Sequence, residues 1–527
     1  MVAVSREPVG SIIEVGRNAW RCLSAEDSGV LVDAADYYHA VYWAISRARR
    51  HVLMSGWQFD SGVPVLRGAD VPAGAEVRFL KFLDALCRQR PDLRVYLLAW
   101  DFHLILAGER EWMQRVYFHW LTASNLHFRF DDHPAPGGSH HQKFVVVDGG
   151  LAFVGGMDVC EARWDDRRHV ADNPLRLSRG RPQKPYHDAQ AWLAGPEPAR
   201  ALQELFRERW QRAGGPPLEL RAADPPPVEV RGSLPLGPAS VALSRTDPRP
   251  DGTTIREIER LFEDAIAAAE RLIYIETQYF SSRRMREALV RRMQASGRPR
   301  PEIVVVVNQQ AEALKEELAV GLRQARTLDV LRDTASRTGC ALGCYYSLCD
   351  GQHQTFRGTY IHSKILIVDD RFLTVGSANL TNRSMGVDSE LHVTWEDRDG
   401  RRVDRIRDVR VSLLAEHAGL SGADAAGLAP VEGLVARLDA LASQPQARLQ
   451  RHGPPTPAQE AAMRWIDPDE LPFDPETTAA EDAAGILDPS DESSRRRLPV
   501  LTAAAAGIGA VAVAGLLARY LARARRS

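Results

Sequence analysis

Cysteine is scarce, six in 527 residues. With so few thiols, and an N-terminus (Met1 to Glu7) lacking the apolar core of a secretory signal, the chain is expected in a reducing, cytoplasm-facing compartment. Cys340, Cys344 and Cys349 are close together, but their x3 and x4 spacings have no matching second pair or nearby histidines, so zinc is not expected. A surplus of charge is missing too. Lysine and arginine total 67 against 69 acidic residues, a net charge of −2. No global field therefore recruits nucleic acid or an anionic surface, and any attraction to phosphate must be local.

What is present is a stretch that occurs twice. The first copy reads His141-Gln142-Lys143, four apolar residues, Asp148, and continues to Gly155-Gly156-Met157-Asp158. The second reads His362-Ser363-Lys364, four apolar residues, Asp369, and continues to Gly376-Ser377-Ala378-Asn379. One such string arises by chance fairly often; two with matching downstream glycines do not. Phe144 to Val147 and Ile365 to Val368 are short apolar runs rich in β-branched residues, each followed by a second run. That pattern predicts adjacent strands buried on both faces. The histidine and lysine, two apart, then point to one face. Side by side they suit a phosphate, where one attacks phosphorus and the other neutralises oxygen charge.

On these two copies, and on four further stretches, the chain resembles the phospholipase D superfamily, nearest its phospholipid-cleaving members of eukaryotic type. The further stretches are Phe153 to Asp158 with Arg163-Trp164-Asp165; His187-Asp188 ahead of Gly195-Pro196; Ile273 to Phe280; and Gly376 to Asn379 with Asn382 to Met385 and Asp388-Ser389-Glu390. The resemblance covers roughly residues 10 to 418.

The plan around the motif is also duplicated. A helix over Asp33 to Arg50 followed by a strand over His51 to Phe59 is matched by Arg256 to Ala269 and Leu272 to Phe280. Leu93 to Trp100 and Ile303 to Val307 follow as the next strands, an α/β pattern. The expected fold is α/β: two pseudo-twofold-related α/β/α sandwich halves of phospholipase D type sharing one active site, followed by an acidic linker and a C-terminal hydrophobic helix. The halves are placed at 1–213 and 239–418, joined by a proline-rich connector at 214–238. Residues 419–494 form a helical and disordered linker. From Trp465 to Glu492 it holds ten acidic and no basic side chains and is expected to be a mostly disordered tether. Residues 495–527 carry an uncharged run, Leu498 to Ala518, long enough to cross a bilayer as a single-pass anchor. Arginines on both sides leave its orientation open.

The candidate catalytic set is His141, Lys143 and Asp148 with His362, Lys364 and Asp369. Of these, the two aspartates are expected to hold strands and loops rather than touch substrate. The resemblance implies a phosphohistidine on one histidine, with the other as acid and base; His141 is taken as nucleophile and His362 as acid/base. It also implies an acidic partner for each imidazole, matching Asp188 and Glu390. Asp158, Ser377 and Asn379 complete the supporting set, with phosphate contact in doubt for Asp158. Two imidazoles and two ammoniums supply what a phosphodiester needs, and no clustered carboxylates suited to divalent cations are evident, so neither metal nor other cofactor is expected. Trp57, Phe59, Trp164, Tyr279 and Phe280 either line an acyl or head-group pocket or pack in the core.

The expected function is cleavage of glycerophospholipids to phosphatidic acid and a free head-group alcohol by a monomeric catalytic unit at a membrane, with transphosphatidylation left open. A cardiolipin-synthase-like phosphatidyltransferase is the alternative, then a nuclease on the same fold, which the charge balance disfavours.

Overall fold

The computed structural model describes residues 10–478, apart from 102–116, 119–121, 133–134, 136, 219, 221–229, 311–319, 352–357 and 472–473. The apolar run 498–518 lies outside the described residues. Among those that are described, no helix is long and apolar enough to cross a membrane.

Two mixed sheets carry the duplicated plan. In the first, seven strands lie in the order Asp27–Val32, Ala189–Ala194, Leu151–Gly155, Phe144–Val147, His51–Gly56, Arg94–Trp100 and Leu126–Asp131. In the second, the order is Ala239–Pro248, Glu390–Glu396, Phe372–Gly376, Ile365–Val368, Leu272–Thr277, Glu302–Val307 and Leu342–Ser347. Position by position the two series correspond. In each, the motif strand runs antiparallel to both neighbours, Leu151–Gly155 and His51–Gly56 in the first sheet, Phe372–Gly376 and Leu272–Thr277 in the second. Every residue of Phe144–Val147 and Ile365–Val368 is buried, because helices cover both faces and leave no polar side for alternation.

Three apolar clusters hold the layers. One is local to the first half, and another belongs to the second half with Ile12 added from the N-terminal segment. The third draws from both halves, joining Val30, Phe144 and Trp210 to Leu243, Ile365 and Trp395 through the helices Pro196–Arg212 and Val403–Ala418. A shared core of this kind resists separation of the halves, since each buried large side chain contributes on the order of 1.5–3 kcal/mol.

Three parts of the chain depart from a simple succession of halves. Arg21–Ala25 pairs with Ala239–Leu243, so the chain begins on the second sheet before crossing to the first. The connector is not free throughout: Leu234–Pro235 adds an edge strand beside Asp27–Val32. Beyond residue 418 the chain keeps folding, with helices Leu434–Ala442 and Pro457–Trp465 and a strand Leu449–Arg451 extending the second sheet.

The acidic segment is no tether over its described part. Asp474 is 1% exposed. It accepts from Ser281 Oγ at 2.7 Å and from the Arg383 amide at 2.8 Å, and pairs with Arg323 at 3.2 Å. Arg323 also donates to the carbonyls of Pro468, Asp469 and Leu471. Asp469 pairs with Arg286, and Glu476 with Arg283, each at 2.7 Å. Cations on the folded body thus supply the partners that the acidic segment lacks within itself, which is why a local reading of composition misses it.

Candidate active site

The two motif histidines are held by carboxylates of the opposite half. His141 Nδ1 is hydrogen-bonded to Glu390 Oε2 at 2.9 Å, and His362 Nδ1 to Asp188 Oδ2 at 2.6 Å. Backbone pairing fixes the exchange. The His141 amide donates to the Ser389 carbonyl at 2.9 Å, and the His362 amide to the His187 carbonyl at 2.8 Å. Each histidine therefore lies beside the residue preceding its acid in sequence. A carboxylate at Nδ1 fixes the proton there and leaves Nε2 with its lone pair for chemistry. The histidine side chains are 18% and 6% exposed, those of the two acids 0%.

Burial sets the protonation. It pushes Asp188 up to about 7 and Glu390 up to about 8. It also drives both imidazoles well below their ordinary value, helped for His141 by Lys143 and for His362 by Lys364. Both effects disfavour an imidazolium, so each imidazole stays neutral: with its acid ionised Nε2 is bare, and a proton added to the pair rests on the acid and turns the imidazole to its Nε2–H form. A neutral imidazole is the form that can attack phosphorus.

The lysines differ between halves. Lys143 Nζ lies 3.5 Å from Asp158 Oδ2 and donates to the His141 carbonyl at 3.0 Å. Asp158 also accepts from the Trp57 amide at 2.8 Å. In the second half Asn379 stands at the position of Asp158, and Gln278 at the position of Trp57. Lys364 donates to Gln278 Oε1 at 3.2 Å and to the His362 carbonyl. Asn379 Nδ2 donates to the same amide oxygen at 3.3 Å. Without an adjoining carboxylate, Lys364 is pushed down to about 7, chiefly by burial, with Lys143 and Arg163 adding to it. Asn379 Oδ1 is buried with no hydrogen-bond partner. Ser377 Oγ donates to Glu390 Oε2 and takes the Leu391 amide at 3.0 Å. The matching residue is Gly156, where a Cβ would stand 2.6 Å from Asp188 Oδ1; the shorter acid sits closer to its strand and leaves no room.

Asp148 and Asp369, counted in the catalytic set by sequence, stand apart from the cleft. Asp148 accepts from the amides of Arg49, Arg50 and His51 at 2.7–3.0 Å, and Asp369 from those of Glu270, Arg271 and Leu272 at 2.7–2.9 Å. They fasten the turn entering each central strand. Of the five aromatics, Phe59, Trp164 and Phe280 are buried core, while Trp57 and Tyr279 are half-buried.

Sequence reasoning missed a second cluster directly behind the site. The expectation that no carboxylates cluster in the manner of a cation site does not hold: Asp33, His169, His187 and Glu416 converge, all buried, with their ligand atoms within 4.8 Å of one another. His169 Nε2 lies 3.0 Å from Glu416 Oε1 and 3.4 Å from Asp33 Oδ2; His187 Nδ1 lies 2.7 Å from Glu416 Oε1 and 3.3 Å from Asp33 Oδ1. The outer nitrogens meet Asp165 at 2.9 Å and Glu276 at 3.0 Å. Glu276 also takes His417, Tyr274 and Ser363. Protons on the histidines satisfy these carboxylates: against burial, the surrounding acids hold His169 up at about 9 and His187 well above its ordinary value. The cluster backs the dyads, because the Asp188 amide donates to Asp33 Oδ1 at 3.1 Å. The available signal was an acid inside an apolar strand, Glu276, and a Glu-His pair on the buried face of a helix, Glu416 and His417.

Comparison with known proteins follows the same lines. The family model described as "Cardiolipin synthase, PLD-like domain" matches residues 262–408. Phospholipase D A of Dictyostelium discoideum is 26% identical over 467 residues, covering 74% of this chain and 35% of that protein. Phospholipase D alpha 2 of Oryza sativa subsp. japonica is 25% identical over 529 residues, covering 72% and 63%. Phospholipase D1 of Saccharomyces cerevisiae is 26% identical over 495 residues, covering 70% and 27%. The chain thus spans less than two thirds of the length of these relatives. Among solved structures, a phosphatidylserine synthase of Haemophilus influenzae Rd KW20 superposes with a TM-score of 0.51 at 14% identity, over 80% of this chain and 95% of that one. That likeness is one of fold.

Proposed function

Given that the chain belongs to the phospholipase D superfamily, we propose that it cleaves the distal phosphodiester of glycerophospholipids, yielding phosphatidic acid and the head-group alcohol. The observation that carries this reading is the pair of crossed dyads, each a neutral imidazole oriented by an acid of the other half with a lysine two residues away.

In this reading the two halves share one active site, related by a pseudo-twofold axis, and the phosphoryl group lies between the two Nε2 atoms. His141, its Nδ1–H held by ionised Glu390, attacks phosphorus through Nε2, while His362, carrying its proton on Nε2 because Asp188 enters protonated, gives that proton to the departing alkoxide and takes the Asp188 proton on Nδ1. His362 then takes a proton from water, which attacks the phosphohistidine and frees His141. Lys143 and Lys364 balance charge on the non-bridging oxygens, with Asn379 and Gln278 donating beside them. Asp158 serves as the charge partner of Lys143, not as a phosphate ligand. A single chain is then a complete catalytic unit. A bilayer substrate implies attachment to a membrane surface, with the run 498–518 as the anchoring segment.

Incubation with mixed phospholipids and ethanol tests the proposal. Phosphatidic acid and phosphatidylethanol are the expected products. A second reading, a phosphatidyltransferase, draws on the matched family model and on the fold of the phosphatidylserine synthase; cardiolipin formed from phosphatidylglycerol would decide for it. Neither product would sink both.

The pH dependence is fixed in sign. Lys364 acts as an ammonium, and its folded-state value near 7 lies below that of a free lysine, so its charge is present below pH 7 and lost as pH rises through it. We expect kcat/KM on a soluble phosphodiester to fall above about pH 7, since that ratio reports the free enzyme. Lys364→Arg, which keeps its charge, should be slower yet flat over the same range. An alkaline limb unchanged in Lys364→Arg would assign the titration elsewhere.

A further inference from the structure

Arg163 belongs to a motif that the reaction as described does not use. Its guanidinium lies over the ring of Tyr186, 5.0 Å from the centroid, and donates to the Tyr186 hydroxyl. The Tyr186 ring in turn lies 5.3 Å from that of His362. The charge of Arg163 is felt at His362, Asp188 and Lys364, whereas the principal charges acting on His141 are Lys143, Lys364, Asp388 and Asp158. Arg163 thus stands on the His362 flank of the cleft.

Two features set this guanidinium apart. It forms no ion pair with a carboxylate among the described residues, in contrast to Arg176 with Asp165, Arg209 with Asp131 and Arg410 with Asp370. The carboxylate whose charge acts on it, Asp158, is already paired with Lys143. Moreover, the aromatic faces nearby already carry cations. Lys184 Nζ lies 3.4 Å from the centroid of Tyr360, whose ring is 5.6 Å from that of Tyr186. Open tyrosine faces would attract a quaternary ammonium. Faces covered by a guanidinium and an ammonium repel one.

We infer that Arg163 selects the leaving group, and that the His362 flank takes an alcohol carrying negative charge in preference to a choline-like cation. This rests on the phosphodiesterase reading above, with His362 protonating the alcohol, since the head group then departs past His362. A planar guanidinium with four N–H donors not engaged by Tyr186 matches a carboxylate or a second phosphate on that alcohol.

The test uses the full chain and three short-chain soluble phosphodiesters that share the phosphatidyl part. Their head groups are choline, glycerol and 3-hydroxypropanoate, of charge +1, 0 and −1. We expect the unaltered protein to favour the carboxylate over choline by roughly 30-fold in kcat/KM, the size of one charge-assisted contact. Arg163→Gln should bring the two within a few-fold of each other. Arg163→Glu should reverse the order, with choline turnover rising above that of the unaltered protein, a gain that misfolding cannot produce. Preference for choline in the unaltered protein overturns the inference. So does an equal fall on all three esters in both variants, which would place Arg163 on the phosphoryl group or in the fold. No turnover of any ester by the unaltered protein would instead overturn the phosphodiesterase reading itself, and this inference with it.

Discussion

Mixed with a p-nitrophenyl phosphodiester, His362→Ala protein is expected to release one equivalent of p-nitrophenolate and then stop. A choline or glycerol alkoxide leaves poorly without a proton, whereas p-nitrophenolate needs none. Removing the acid should therefore lower turnover of the natural ester by about 10²–10⁴-fold, the usual worth of positioned acid–base help. It should spare the first step on the activated one. The second step fails because the same change removes the base that prepares water. A phosphohistidine should then accumulate on His141, read by mass spectrometry of a digest quenched at alkaline pH, where the adduct survives. His141→Ala should give neither burst nor adduct. An adduct on His362 in His141→Ala protein would exchange the two roles and leave the reaction class intact. No adduct in either variant would point to direct attack by water.

The second large effect concerns stability. Glu416→Ala is expected to lower the free energy of unfolding in urea by about 3–5 kcal/mol, the range for breaking a buried pair from one side. Glu416 is 7% exposed and meets Arg167, His169 and His187. Its loss leaves two fully buried imidazoles and the partly exposed Arg167 guanidinium short of an anion. Glu416→Gln, which preserves shape and removes only charge, should lose most of the same amount. A change below 1 kcal/mol in both would mean that solvent or a neighbouring acid takes its place, and that the cluster does not bind the halves together.

What the sequence could reveal was whatever repeats or is local. The two motif strands, the helix and strand ahead of each, and the next parallel strand all fall where their apolar runs place them, because a strand buried on both faces has one sequence signature. The histidines and lysines follow from period-two geometry. The acids needed more. Asp188 and Glu390 were assigned by resemblance as partners of the histidines, but nothing in either stretch tells that each serves the other half's imidazole. That depends on pairing across 174 and 249 residues. The same holds for Arg21–Ala25, whose partner strand begins at Ala239. The described part of the acidic segment departs from its composition because its arginines, Arg283, Arg286 and Arg323, lie well over 100 residues upstream. The buried cluster escaped for a related reason: its four members come from four separate stretches, none of which has a metal-binding spacing.

The crossing of the dyads also bears on how the protein is made. While the chain leaves the ribosome, a completed first sheet holds Asp188 but not His362, and His141 but not Glu390. Neither imidazole has its orienting acid, and Arg21–Ala25 has no sheet to join until Ala239–Pro248 follows. Each histidine thus acquires its tautomer only when the partner sheet closes on it. A fragment ending before Glu390 carries His141 without its orienting acid, and competence waits for that last dyad member to emerge.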